Sequence, residues 1–167
     1  QGTPWIDGYR NLFGDETLDY DQALKTHYAT PLVDWPANFI SAYASSHPWE
    51  DWAECWAHYL HMVDGLETAA AWGLRLDHAV PDGEPLQAQR LDPSAGGVLE
   101  PSLIEQWLPI SQFSNSMNRS LGLHDSYPFV VPAAVVQKLE FIHRVVGAAM
   151  RGEAPMNFAP PAPVLQE

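Results

Sequence analysis

The sequence predicts a mainly α-helical protein, with about five helices around one core. Apolar residues recur at the three- and four-residue spacing of a helix face, and glycines that stop helices follow several of these segments. No stretch shows the strict alternation of apolar and polar residues that is typical of a half-buried strand. The 167 residues suit a single domain, and 46% of them are hydrophobic, which is enough for a core.

Two helices are predicted in the first quarter of the chain. Residues 16–28 carry acids early, as the helix dipole prefers, and Asp15 is a suitable N-cap before them. The apolar residues of this segment lie at helical spacing: Leu18, Leu24 and Tyr28. Residues 36–45 form the second predicted helix, because Pro36 is well placed in a first turn.

The third predicted helix is the longest and covers residues 46–72. Ser46 is a plausible N-cap, Pro48 lies in the first turn, and Gly73 follows as a stop. Helix-forming residues fill the interval between them.

The second half of the chain is less regular. Residues 74–100 are rich in proline and glycine and predict a long irregular loop with one short extended piece. Two further helices are predicted, over residues 101–121 and 132–150, ending near Gly122 and Gly152. Residues 153–167 hold four prolines and predict an extended tail.

Composition limits the class of function. Eight basic and 21 acidic residues give a formal charge of −13, which argues against binding to nucleic acid or to an anionic membrane. No apolar run approaches the roughly 18 residues of a membrane span. Cys55 is the only cysteine, so no internal disulfide exists; we expect a core thiol and a cytoplasmic protein. The first residue is Gln, so we expect a longer gene product.

A helical wheel divides residues 49–63 into two faces. The apolar face is expected to lie in the core, and it comprises Trp49, Trp52, Ala53, Trp56, Leu60 and Val63. The other face is polar and spans an arc of about 80°. We call its four members the polar stripe: Glu50, Glu54, His58 and His61.

The spacing of the polar stripe leaves its role open. It suits a solvated face, with Glu54 and His58 paired one turn apart. Carboxylate, imidazole and water also suit zinc, and Glu54, His58 and His61 could form a metal site on their own. In a third interpretation, an acid of the stripe orients a metal ligand that another segment supplies.

The segment HPWEDWAECWAHYLHMVDGLETA, residues 47–69, resembles the hallmark segment of a bacterial family described as putative zinc-binding metallopeptidases. The resemblance continues through RNLFGDE, FISAYASSHPWEDWAE, NSMNRSLGLHDSYPFV and KLEFIH, and so covers about residues 5–143. Members carry an N-terminal zinc ribbon and a gluzincin-like catalytic domain. The joint occurrence of these blocks is specific, whereas any one alone is a weak signal.

The resemblance implies zinc held by two histidines of an H-E-x-x-H helix and a glutamate from a later helix. No H-E-x-x-H occurs in the 167 residues, and HYLH at 58–61 lacks both its spacing and its glutamate. We therefore expect residues 1–152 to be the C-terminal helical part of a peptidase domain, inactive alone, with the missing helix upstream. Glu50 is the expected third ligand and Glu54 its neighbour in the second coordination shell; Glu54 as the ligand is the alternative.

The resemblance also implies a peptide or protein substrate and a tyrosine or histidine that stabilises the oxyanion. The candidates are His58, Tyr59 and Tyr127, with ordinary packing as the alternative for each. A structural ion pair is expected for Arg119. The competing function is a non-catalytic helical module that binds a protein, with an exposed apolar patch and possible homodimerisation.

Overall fold

The computed structural model describes residues 4–77 and 84–153, and it confirms the mainly α-helical class. The six α-helical segments are α1 (Pro4–Phe13), α2 (Tyr20–Ala29), α3 (Pro48–Ala71), α4 (Leu99–Ser102), α5 (Leu108–Ser120) and α6 (Ala133–Met150). A π-helical turn, Leu103–Trp107, joins α4 to α5 without a break.

Helix α3 is the centre of the fold. It packs against α6, against α1 and against a 3₁₀ turn at Tyr43–Ser46. Its fully buried side chains include Tyr59, Met62 and Leu66, which meet Leu139 and Ile142 of α6 in one core. The core is therefore built mainly from two long helices, and the shorter elements cover its sides.

Helix α1 is an element that the sequence reasoning missed. Its aromatic side chains pack on the α3–α6 pair: Trp5 lies edge-on to Phe141 with ring centroids 5.8 Å apart, and Phe13 lies edge-on to Trp52 at 5.3 Å. Gly8 allows this approach, because a Cβ there would lie 2.7 Å from the Phe141 ring. Tertiary aromatic contacts thus stabilise a helix that was not predicted from the local sequence.

The predicted helix over residues 36–45 is wrong. Two 3₁₀ turns, Trp35–Ala37 and Tyr43–Ser46, occupy this stretch instead. The preceding helix starts later than predicted, at Tyr20, because the Asp19 side chain accepts a hydrogen bond from Gln22 N at 2.8 Å and caps it. The Asp15 carboxylate accepts instead from Thr17 in a turn.

The boundaries of α3 agree closely with prediction, with a different N-cap. His47 takes that role, since its Nδ1 accepts a hydrogen bond from Trp49 N at 3.0 Å. Gly73 ends the helix as predicted. Its φ of 65° lies in the left-handed region, and Leu74 N bonds back to Ala69 O at 2.9 Å.

The irregular region after α3 contains two short paired strands rather than one extended piece. Strand β1 (Arg75–Leu76) pairs antiparallel with β2 (Leu86–Gln87), and a 3₁₀ turn at Pro93–Ala95 follows. The predicted tail falls almost wholly at residues 154–167, outside the described residues. Within the described part of the chain, no helix is long and apolar enough to cross a membrane.

The buried face of α3 differs from the predicted one. Trp49 and Leu60 are 52% and 42% exposed, while Trp52, Trp56 and Val63 are half-buried. The face that enters the core is centred on other side chains: Asp51, Cys55, His58, Tyr59 and Met62. Polar groups can lie there because each finds a partner, as described below.

Candidate functional site

Two acids of the polar stripe lie half-buried, one turn apart, on the N-terminal half of α3. The Tyr20 hydroxyl donates a hydrogen bond to Glu50 Oε1 at 2.5 Å, and the Ser41 hydroxyl donates to Glu54 Oε2 at 2.5 Å. Ser41 Oγ also accepts from Ala44 N at 3.1 Å, which fixes its orientation. Each carboxylate is therefore held through one oxygen by a hydroxyl from a different segment.

Tyr20 is anchored by its ring as well as by its hydroxyl. The ring stacks on Trp49 with centroids 5.8 Å apart and lies edge-on to His47 at 5.2 Å. The hydrogen bond to Glu50, with a smaller contribution from Tyr43, raises the pKa of the Tyr20 phenol above its usual value. Tyr20 is therefore a neutral hydrogen-bond donor throughout the physiological range.

Neither carboxylate has a cationic partner among the described residues. The chain has eight basic residues in all. Seven of them form ion pairs, and the acids in those pairs are Glu16, Asp77, Glu67, Asp125, Asp51, Glu140 and Glu153. Two half-buried, oriented acids without a counter-charge are the arrangement that a divalent cation can neutralise.

His58, unlike the two half-buried carboxylates, lies buried in the core. Its Nδ1 lies 2.8 Å from the Tyr127 hydroxyl, and its ring meets Phe129 edge-on with centroids 4.4 Å apart. Burial, with a smaller effect of His61, lowers the pKa of His58 to about 4. His58 is therefore neutral at pH 7.

Tyr59 points toward the opposite side of the core. Its hydroxyl lies 3.0 Å from Nδ1 of His143 on α6. Burial, followed by the charge of Glu140, raises the pKa of Tyr59 to about 12. The structure thus brings together two of the three predicted oxyanion donors, His58 and Tyr127, and separates Tyr59 from them.

The alternative of a complete metal site on α3 is not formed. Among the residues that the structure describes, no group of three His, Cys, Asp or Glu side chains could hold a metal ion. His58 is buried on Tyr127, and His61 is exposed. Glu50 and Glu54 could supply part of a ligand set. In each carboxylate one oxygen accepts the hydroxyl hydrogen bond, and the other oxygen could bind a metal.

A buried ion pair beside the stripe was missed by the sequence reasoning. Asp51, which the helical wheel placed off the stripe, is 1% exposed, and Lys138 Nζ of α6 lies 2.6 Å from its Oδ2. Lys138 also donates to Asn38 O at 2.7 Å. Cys55 packs beside Asp51 as a buried thiol whose pKa is raised chiefly by burial, which agrees with the predicted core role.

Arg119 has the predicted structural role. Its guanidinium bonds both oxygens of Asp125, at 2.6 and 2.5 Å. Next to it, the side chain of Asn118 donates to His124 O at 3.1 Å, and Asn115 bonds the backbone of Tyr127 through both its amide atoms. These contacts fix the turn that delivers Tyr127 to His58.

Two hydroxyl partners, Tyr20 and Ser41, carry no local signal in the sequence. They lie 30 and 13 residues from the acids they bind, so only the fold brings them close. Lys138 could have been noticed, since KLEFIH places a lysine in an apolar helical run where a charge needs a buried partner.

Comparison with known proteins shows the family to which the chain belongs. The family model described as "Putative zinc-binding metallo-peptidase" matches residues 1–145. An uncharacterized protein of Mycobacterium bovis and another of Mycobacterium tuberculosis are each 46% identical over 143 residues, or 85% of this chain and 39% of each relative. The match thus spans about two fifths of the length of these relatives, and no solved structure matches the chain. The chain belongs to the family described as putative zinc-binding metallo-peptidases.

Proposed function

We propose that this chain is part of a zinc-dependent peptidase and that α3 contributes one glutamate ligand to the metal. The observation that carries the proposal is the pair of half-buried acids, Glu50 and Glu54, oriented by hydroxyls and lacking a cationic partner among the described residues. Family membership supports zinc as the cation and peptide hydrolysis as the reaction. The other ligands come from outside the described residues.

Glu50 is assigned as the ligand and Glu54 as the acid that supports the site. Oε1 of Glu50 accepts from Tyr20, and its second oxygen remains for the metal. Glu54 is fixed by Ser41, whose Oγ is itself held by a backbone amide, so this carboxylate is a rigid acceptor for a histidine ligand. A bound zinc ion would supply an activated water and polarise a peptide carbonyl.

The substrate in this proposal is a peptide or protein, and His58 with Tyr127 remains the candidate oxyanion-stabilising pair. His58 lies on the same helix as the carboxylates, one turn beyond Glu54, and Tyr127 meets it from the segment between α5 and α6. Because the pKa of His58 is lowered to about 4, its imidazole is neutral at pH 7 and acts as a hydrogen-bond partner without charge. The hydroxyl of Tyr59 is occupied by His143 and serves to join α3 to α6.

Zinc affinity of the full-length gene product tests the assignment. We would compare the wild type with Glu50→Gln, Glu54→Gln and the control Asp64→Asn, an exposed acid of the same helix, by competition with a chelator. Loss of a direct ligand is expected to weaken zinc binding more than about 100-fold, and loss of a supporting acid about 10- to 100-fold. The control should bind as the wild type does. Wild-type zinc affinity in both Gln variants would overturn the proposal. A larger loss of zinc affinity in Glu54→Gln than in Glu50→Gln would make Glu54 the ligand.

A second candidate function, a module that binds a protein partner, is favoured by one observation. Phe113 and Met117 of α5 and Leu121 after it lie four residues apart and are 42%, 48% and 69% exposed. Such a row can form an interface, including one between two copies of the chain. The masses of the wild type and of Phe113→Ser in solution would decide between a dimer through this row and a monomer.

A further inference from the structure

Helix α2, which carries Tyr20, buries little of its surface against the rest of the protein. None of its ten residues is buried, whereas α3 buries eight. The segment that follows it, residues 30–34, is exposed throughout, and Val33 is 92% exposed. A helix with little buried apolar surface and an exposed connection is a low-stability element that can open locally while the core stays folded.

The hydrogen bonds that hold α2 in place lie at or just before its N-terminal end, whereas Ala23, Leu24 and His27 farther along are partly buried. Tyr20 supplies the hydrogen bond to Glu50, the stack on Trp49 and an edge-on contact with His47. A further hydrogen bond holds the turn before α2, where His47 Nε2 lies 3.1 Å from Leu18 O. Farther along, His27 meets Tyr43 only edge-on, with centroids 6.5 Å apart.

We propose that Tyr20 is a positioning residue that latches α2 onto Glu50, so that α2 is a cover whose closure sets the orientation of this carboxylate. The link to metal binding rests on the proposed function, in which Glu50 is the ligand. With α2 closed, the phenol holds one oxygen of Glu50 and fixes its side-chain torsions. With α2 open, Glu50 rotates freely and presents its second oxygen less well to a cation.

Closure and metal binding are then thermodynamically coupled. A cation that prefers the fixed carboxylate stabilises the closed cover, and the closed cover raises the affinity for the cation by the same factor. Because Tyr20 acts through Glu50, its loss and the loss of Glu50 should have the same, non-additive effect on α2.

Hydrogen exchange on this chain, without metal, tests the latch. Amides of residues 24–29 should exchange several-fold faster in Tyr20→Phe than in the wild type, and amides of residues 62–69 in α3 should not change. Tyr28→Phe is the matched control, since it removes a phenol hydroxyl from the same helix at a side chain that is 69% exposed. Glu50→Ala, which removes the acceptor that Gln would keep, should also accelerate amide exchange in α2. The double variant Tyr20→Phe/Glu50→Ala should exchange no faster than Tyr20→Phe alone.

The latch is refuted if Tyr20→Phe exchanges no faster than Tyr28→Phe, or if wild-type α2 is as protected as the core of α3. Zinc affinity of the full-length product then tests the positioning role: Tyr20→Phe should weaken binding about 10- to 100-fold, and Tyr28→Phe should not. If Glu50→Gln weakens zinc binding and Tyr20→Phe does not, Glu50 is a ligand but Tyr20 does not position it. Wild-type affinity in Glu50→Gln would remove the metal assignment, while the exchange data would still decide the latch.

Discussion

Removing the lysine of the buried pair between α3 and α6 is expected to destabilise the fold strongly. The side chains of Lys138 and Asp51 are 6% and 1% exposed. In Lys138→Met, the Cys55 thiol, 3.5 Å away, is the side-chain donor that the described residues still offer to the Asp51 carboxylate. Leaving one partner of such a pair buried without the other costs about 3–5 kcal/mol, so we expect a loss of this size at pH 7.

Replacing both partners should cost much less. In Asp51→Leu/Lys138→Met no buried charge remains, and exchange of a buried pair for apolar side chains is commonly close to neutral. Lys138 also donates to Asn38 O, but Asn38 is exposed, so water can replace this hydrogen bond. The double variant is therefore expected within about 1 kcal/mol of the wild type.

Urea unfolding followed by circular dichroism measures these differences, with Lys25→Met, an exposed lysine on α2, as the control. The single variant should also recover stability at acid pH. Burial raises the pKa of Asp51, so its folded state binds a proton more tightly than its unfolded state and gains stability as the pH falls. A loss below about 1 kcal/mol for Lys138→Met, or a double variant as unstable as the single one, would refute the reasoning.

Two further changes test other parts of the fold. Gly147→Ala should destabilise the protein by about 1–3 kcal/mol, since its Cβ would lie 2.4 Å from the backbone oxygen of Pro93. Gly97→Ala should leave stability unchanged, since a Cβ there would meet nothing within 4 Å. Equal unfolding midpoints for the Gly147→Ala and Gly97→Ala variants would contradict this expectation. For His58, the folded pKa of about 4 lies below the ordinary 6.5, so its contribution to stability should be constant above pH 6.5 and fall by about 3 kcal/mol as the pH drops to 4. His58→Asn should flatten this part of the stability profile, and an unchanged slope would show that other groups cause it.

The long helices were predictable because their signals are local. Pro48 and Gly73 mark the two ends of α3, and the glycine that follows α5 ends it in the same way. The same holds for α6, whose observed span, Ala133–Met150, differs by one residue from the predicted one.

The aromatic helix α1 and the 3₁₀ turns before α3 were not predictable on the same grounds. Helix α1 depends on contacts of Trp5 and Phe13 with residues more than 35 positions away. Residues 36–45 have helical spacing but turn twice, and Ser41 in this stretch bonds Glu54. Tertiary contacts decide such short segments more than propensity does.

The candidate site was predictable in part. The wheel correctly grouped Glu50 and Glu54 on one face, because helical geometry fixes which side chains are neighbours. It left Asp51 outside the polar stripe and could not tell whether His58 faces solvent or a metal, and both side chains are buried in the core. A single helix carries no information about Lys138 and Tyr127, the partners that make this burial possible.

The most direct test of the central claim is the zinc content of the wild-type protein, measured by elemental analysis on this chain and on the full-length gene product. We predict about one zinc per chain in the full-length product and none in this chain, because the proposed glutamate ligand of α3 does not belong to a complete ligand set among the described residues. Equal zinc in both forms would contradict the shared ligand set. Absence of zinc from the full-length product would contradict the metallopeptidase function itself.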